Sequence, residues 1–307
     1  MKIAITGATG FVGQNLIKYF HEHNLHEIVQ VGRTPGLPGE DFISIDEFPG
    51  SATRYDAMVH LAGKAHDLKN TSATDEYFKV NYELTCKVFE HFKASQASVF
   101  IYVSSVKAVA DIPLGILTED TAPLPGTPYG ASKLKAEQYL LSAVLPAGKK
   151  IYILRPCMIH GPGNKGNLNS LVSLVRKNIP YPLGAFDNRR SFLSVRNFCF
   201  VVHRLLSAQQ PSGVYNLADD ESISTNELIG IISNTLNKPV RIWKLNKQLI
   251  RLLAKAGDVL HLPINSENLK KLTTDYVVAN DKIVSALGTR LPYSSRQGLI
   301  ETLKAAK

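Results

Sequence analysis

Short apolar runs alternate with longer stretches of three-to-four-residue periodicity through the first half of the chain. Ile3–Thr6, Glu27–Val31, Phe42–Ile45, Met58–Leu61, Val99–Val103 and Lys150–Leu154 are brief and rich in β-branched and aromatic residues, the signature of strands. Between them, Gly10–His23, Thr74–Ser95 and Pro128–Leu145 read as helices. Strands alternating with helices predict a parallel sheet covered on both faces. Right-handed crossovers then give a doubly wound α/β fold, with its ligand crevice at the carboxyl ends of the strands.

The pattern changes after Arg155-Pro156. Leu168–Lys177 reads as a helix and Ile179–Asn188 is rich in Pro and Gly. Short strands at Phe192–Val195, Val214–Leu217 and Val240–Trp243 then mix with helices at Asn197–Ser207, Thr225–Leu236 and Lys247–Leu260. The expectation is a nucleotide-binding domain over residues 1–160, with residues 192–220 returning to it. Residues 161–307 form mainly a smaller substrate-binding lobe.

Composition narrows the class. Hydrophobic residues at 44% and charged residues at 20% are ordinary soluble usage, which excludes disordered and fibrous chains. The net charge of +9 is compatible with nucleic acid, but the basic residues are scattered and not interleaved with aromatics. A cleft for a small anionic ligand such as a diphosphate accounts for the excess, so no nucleic-acid partner is expected. Cys86, Cys157 and Cys199 lack disulfide or metal spacing, and the nine histidines form no ligand pattern, so no metal is expected. The apolar run at the amino terminus is too short for a signal peptide, and no stretch approaches a membrane span. A cytoplasmic protein with no membrane partner is expected.

Two constellations carry chemistry. The first, Gly7-Ala8-Thr9-Gly10-Phe11-Val12-Gly13, lies between the first strand and the first helix. Glycines there let the backbone turn tightly and approach a pyrophosphate, which the helix N-terminus attracts. The same trio also serves an ordinary strand-to-helix turn. At the end of the second strand Arg33 stands where an arginine accommodates the 2′-phosphate of NADP(H) and an acid would favour NAD(H). A solvated surface arginine is the competing reading. The second constellation joins Ser104-Ser105, at the end of the Val99–Val103 strand, to Thr127-Pro128-Tyr129-Gly130-Ala131-Ser132-Lys133. Thr127 reads as a helix N-cap and Pro128 as the first helical residue, which puts Tyr129 and Lys133 on one helix face. A phenol beside an ammonium and a helix N-terminus suits proton transfer to a carbonyl or carbinol. Taken alone, a tyrosine and a lysine on a helix surface are commonplace.

The combination resembles the extended short-chain dehydrogenases, the NAD-dependent epimerase/dehydratase family, over nearly the whole chain. His60-Leu61-Ala62-Gly63 is similar to the family's fourth-strand motif, and Val80-Asn81-Tyr82-Glu83-Leu84-Thr85 to its Asn-bearing helix. Arg155-Pro156 with Gly161-Pro162-Gly163 is similar to its hinge. The resemblance implies a Rossmann-type sheet and a catalytic set of Ser105, Tyr129 and Lys133. It implies cofactor contacts at Gly7, Thr9, Gly10, Phe11, Val12, Gly13, Arg33, Leu61, Ala62, Gly63, Asn81, Tyr129, Lys133 and Pro156. Substrate contacts are implied at Ser105, Val106, Lys107, Asn167, Leu168 and Arg190, the last against a substrate diphosphate. A helix cap at Asn167 and a surface charge at Arg190 are the plainer alternatives.

Family 4,6-dehydratases carry an Asp-Glu pair after the active-site hydroxyl, where this chain has Val106-Lys107. Ser104-Ser105-Val106-Lys107 and Gly163-Asn164-Lys165-Gly166-Asn167 are more similar to bacterial 4-ketoreductases, so the resemblance implies reduction of a UDP-4-keto-6-deoxy-hexosamine of the UDP-N-acetylquinovosamine type with NADPH, for surface polysaccharide. The alternatives are a UDP-hexose 4-epimerase with tightly bound NAD, and a non-catalytic dinucleotide sensor. A homodimer through the Thr74–Ser95 and Tyr129-bearing helices is also implied.

Overall fold

The computed structural model describes residues 1–64, 73–164, 168–207, 210–260 and 265–305. The chain opens with β1 (Lys2–Thr6), α1 (Phe11–Glu22), β2 (Glu27–Gly32), β3 (Asp41–Ser44) and β4 (Ala57–His60). Ile3, Ala4, Ile5, Met58 and Val59 are wholly buried. Helices cover both faces of these strands, so they read as continuous apolar runs rather than alternating ones.

α2 (Thr74–Phe78) and α3 (Leu84–Ala94) follow, joined by a π-helical turn at Lys79–Glu83. The helix expected over Thr74–Ser95 runs on through this turn, its junction residues keeping helical dihedrals. A π turn widens the helix by one residue, a device frequent at functional sites, and here it carries the buried side chain of Asn81.

Next come β5 (Val99–Val103), β6 (Ile116–Leu117), α4 (Pro128–Ser142), β7 (Lys150–Pro156), β8 (Met158–His160), α5 (Leu168–Arg176), β9 (Arg189–Ser194), α6 (Val195–Ser207) and β10 (Gly213–Leu217). Among the described residues, seven strands form one parallel sheet in the order β3-β2-β1-β4-β5-β7-β10. This is the Rossmann-type doubly wound arrangement. The strand order reverses between β1 and β4, which places the ligand crevice at their carboxyl ends. Leu16 and Ile17 of α1 pack with Phe198 and Val202 of α6 on one face of the sheet. Phe89 and Phe92 of α3 pack with Phe100 and with Leu140 of α4 on the other.

The remaining elements are β11 (Ser222–Ser224), α7 (Thr225–Thr235), α8 (Lys247–Val259), α9 (Ser266–Thr273), β12 (Val277–Val278), α10 (Asp281–Leu287) and α11 (Ser295–Ala305). β8, β9 and β11 make a small second sheet, with β9 in the centre. Its core joins Val172, Phe192, Ile229, Ile232 and Leu299. A capping box starts α7: the Ser224 hydroxyl accepts from Glu227 N at 3.1 Å, and the Glu227 carboxylate accepts from Ser224 N at 2.8 Å.

One expected strand fails. Val240–Trp243 makes only isolated bridges, Tyr181 to Ile242 and, one residue past the expected run, Leu183 to Lys244. The partner segment carries Pro180 and Pro182, which have no N–H to extend a ladder.

Candidate active site

The glycine turn is fixed by close contact. Gly7 has φ +72°, and a Cβ there would lie 2.7 Å from Ala62 N. At Gly13 a Cβ would lie 2.4 Å from the Gly7 carbonyl oxygen. Both positions exclude a side chain, so the turn sits tight against Leu61 and Ala62 at the end of β4. No side chain caps α1 at Gly10, and Thr9 and Gly10 are exposed. Phe11 and Val12, half-buried, supply the first helical N–H groups. A bare helix N-terminus behind a glycine cradle is chemically matched to a diphosphate, so these residues fit a dinucleotide.

A buried polar chain supports the floor. Ala62 N donates to Thr6 Oγ1 at 3.1 Å, and Thr6 Oγ1 lies 2.6 Å from His60 Nδ1. His60 Nε2 lies 3.0 Å from Thr85 Oγ1, which donates to the Asn81 carbonyl at 2.8 Å. Burial, aided by the Lys133 charge, pushes the His60 pKa down to about 3, so its ring is neutral and serves as both donor and acceptor. Asn81 in turn accepts from Lys64 N at 2.7 Å and donates to Ser132 Oγ at 3.0 Å. Gly63 lies under this cluster: a Cβ there would meet Asn81 Oδ1 at 2.9 Å and Lys133 Nζ at 3.2 Å. The cradle and the lysine are thus joined through three consecutive residues, 61 to 63.

β5 delivers Ser105, whose hydroxyl accepts from Lys107 N at 3.2 Å and so caps a short turn over Val106–Ala108. Thr127 caps α4 by accepting from Gly130 N at 3.2 Å, with Pro128 in the first turn. A Cβ on Gly130 would stand 2.3 Å from the Lys107 carbonyl oxygen, so the start of α4 presses directly on the Ser105–Lys107 turn. That contact brings Tyr129 to Ser105. Burial raises the Tyr129 pKa, the Ser105 hydrogen bond opposes the shift, and Tyr77 adds to it. The Tyr77 and Tyr129 rings meet edge-on at 6.2 Å. At neutral pH the phenol therefore carries its proton.

One turn further, Lys133 is almost fully buried. Its Nζ donates to the Val103 carbonyl at 2.8 Å and lies 4.9 Å from the Tyr102 ring centre. Burial lowers its pKa to about 8 against the opposing pull of Glu137. Glu137 itself is held by Arg155 through a buried ion pair at 2.6 Å.

The remaining expected residues divide. Arg33 is exposed just past β2, on a loop fixed by Gln30, which accepts from Gly36 N and Leu37 N at 3.0 Å each. Pro156 is buried at the end of β7. Val106 is buried. Lys107 Nζ donates to the Asp111 carbonyl at 2.8 Å and sits 4.6 Å over the Tyr276 ring. Burial lowers its pKa, Asp111 opposes, and the neighbouring cations Arg190 and Lys271 push it down further. Arg190 lies at the start of β9 and donates to the Lys271 carbonyl, so Lys107, Arg190 and Lys271 form a basic group with Tyr276. Leu168 packs into the core of the second sheet, and Asn167 lies outside the described residues.

Sequence reasoning missed Tyr77, Ser132, Glu137, Arg155 as its partner, and Tyr276. Glu137 had a signal, standing four residues after Lys133 on one helix face. Tyr276 is brought in from across the fold and had none.

The family model described as the NAD dependent epimerase/dehydratase family matches residues 3–218. The chain belongs to that family. It is an enzyme of this NAD(P)-dependent group, whose members include nucleotide-sugar epimerases and reductases. It is 28% identical to a Vibrio cholerae UDP-glucose 4-epimerase over 319 aligned residues, covering 99% of this chain and 94% of the relative. A GDP-6-deoxy-D-mannose reductase of Pseudomonas aeruginosa is 27% identical, over 81% of this chain and 87% of the relative. The fold superposes on the solved structure of MoeE5 in complex with UDP-glucuronic acid and NAD, with TM-score 0.78 at 19% identity, covering 100% and 99% of the two chains.

Proposed function

We propose that this enzyme reduces a UDP-4-keto-6-deoxy-hexosamine, drawing on NADPH, in the assembly of a surface polysaccharide. The observation that carries the reading is the half-buried Tyr129 phenol, hydrogen-bonded to Ser105, on the same helix face as Lys133, whose Nζ borders the Gly63 position. A protonated phenol bonded to the hydroxyl that orients a carbonyl oxygen can give its proton to that oxygen as hydride arrives, the transfer that reduction requires.

In this mechanism Ser105 orients the substrate carbonyl oxygen and Tyr129 gives its proton to that oxygen as the alcohol forms. The nicotinamide supplies the hydride when bound. Lys133 stabilises the resulting tyrosinate by charge, and its pKa of about 8 lets it relay the replacement proton near neutral pH. Gly7, Gly10 and Gly13 hold the dinucleotide diphosphate, and Arg33 takes the 2′-phosphate. Lys107 and Arg190 hold the substrate diphosphate, where a planar donor is well suited. Val106-Lys107 supplies no acid for elimination of water, which supports reduction over dehydration. Residues 1–160 with 192–220 bind the cofactor and the rest closes on the sugar nucleotide, in a homodimer.

The test mixes purified protein, NADPH and a freshly generated 4-keto sugar nucleotide. Stoichiometric loss of NADPH with formation of the reduced sugar is expected. No NADPH oxidation with any of several such substrates rejects the reading.

A second reading is a UDP-hexose 4-epimerase, favoured by the full-length likeness to the Vibrio cholerae enzyme. It predicts that NAD copurifies and that an isomer forms without net redox change.

A further inference from the structure

α8 is apolar on two adjoining sides, and only one of them is used. Ile250, Ala254 and Gly257 face the protein and are buried. Leu249, Leu252, Leu253 and Leu260 recur at the spacing of one helix face, and each is more than half exposed. Trp243, just upstream, is also more than half exposed. Elsewhere among the described residues exposed large apolar side chains are sparser, which is normal for a protein surface. Of the fifteen such side chains among the described residues, eight fall between positions 240 and 272. A concentration of that kind marks an interaction site.

Charge says what covers it. Residues 241–271 hold seven Lys or Arg against two Asp or Glu, a net of five positive charges within about a tenth of the chain. Arg251 and Lys255 lie on α8 beside the leucine stripe and are exposed, and Lys270 and Lys271 lie on α9. The two helices are tied together by Asp258, which accepts from Ser266 N at 2.8 Å. A leucine stripe with a tryptophan at its edge and cations alongside is the composition of a helix that lies in the plane of an anionic lipid surface. No helix among the described residues is long and apolar enough to cross a membrane. The arrangement is one for docking on a surface, not for spanning it.

We infer that the α8–α9 face binds the surface of an anionic phospholipid bilayer. The Leu249–Leu260 stripe and Trp243 enter the headgroup boundary, and the surrounding lysines and arginines contact lipid phosphates. Because α9 also supplies the carbonyl that holds Arg190, the docked face adjoins the basic group of the candidate site.

Trp243 is the sole tryptophan of the sequence, so its emission reports on this face alone. The experiment co-sediments the full chain with vesicles of phosphatidylglycerol and phosphatidylethanolamine, or of phosphatidylcholine alone, while recording that emission. Binding to the anionic vesicles with a blue shift is expected, weakened by salt and weak on phosphatidylcholine. The Leu249→Ser/Leu252→Ser/Leu253→Ser variant is expected to lose about tenfold or more in partitioning. The Arg251→Glu/Lys255→Glu variant, which leaves every apolar contact in place, is expected to bind more weakly and with less salt dependence. A chain that stays in the supernatant with unchanged emission overturns the proposal. So does a lipid-independent dimer that the leucine variant dissociates, which would make a second copy the occupant.

Discussion

The crevice floor and the basic group of Lys107, Arg190 and Lys271 use polar residues in opposite ways. On the floor, Asn81, His60, Ser132 and Lys133 are nearly or wholly buried; the first three are linked to one another's elements by hydrogen bonds, and Lys133 is held against β5 by the Val103 carbonyl and the Tyr102 ring. In the basic group, Lys107 on the turn after β5 and Arg190 at the start of β9 are only half-buried; Lys107 leans on Asp111 and Tyr276, and Arg190 on the Lys271 carbonyl. Groups with one available arrangement are suited to chemistry, which demands geometry before the substrate arrives. Groups that retain freedom are suited to gripping a diphosphate that must enter and leave. The difference predicts that substitutions on the floor act on turnover and those in the basic group on affinity.

The largest effect expected on this division is at Tyr129. Tyr129→Phe removes the transferable proton and keeps the ring, so kcat falls by about 10²–10⁴-fold while dinucleotide affinity by titration is unchanged. A parallel loss of cofactor binding would mean that Tyr129 holds the nucleotide and does not act on substrate. In the basic group, Arg190→Leu is expected to raise KM for the sugar nucleotide by about ten- to a hundredfold, as loss of charged hydrogen bonds does, with kcat within a few-fold. An effect on kcat alone would erase the contrast between the two regions.

The smallest effect is one of stability. Lys133 has a folded pKa of about 8 against an ordinary value of 10.5. Between these values the unfolded chain binds more protons, so the lysine's contribution to stability rises with pH across that window. Comparing urea unfolding of Lys133→Met with the parent at pH 7 and pH 9.5, the balance should move toward the parent by about 2 kcal/mol at the higher pH. A difference independent of pH would show that the ammonium is not desolvated on the floor.

What was legible in the sequence was local. The cap at Thr127, the proline at 128 and the spacing of Tyr129 and Lys133 are set within one helical turn. The glycine positions follow from backbone approach. The π turn at Asn81 was not legible, because one extra residue barely disturbs a helical periodicity. The Arg155–Glu137 pair needed the topology that lays β7 beside α4. Val240–Trp243 misled because its own residues suit a strand, while the prolines that prevent one lie on its partner. The two apolar sides of α8 also look alike in sequence, and only the packing shows which of them faces out.

The central claim is that Tyr129 protonates a sugar carbonyl as hydride arrives. It is tested most directly with NADPH carrying deuterium at its transferable position, a 4-keto sugar nucleotide, and product analysis by mass spectrometry and NMR. The account predicts one deuterium at sugar carbon 4 with the parent protein, and almost none with Tyr129→Phe under conditions where both bind the dinucleotide equally. Equal labelling by the two proteins would contradict it.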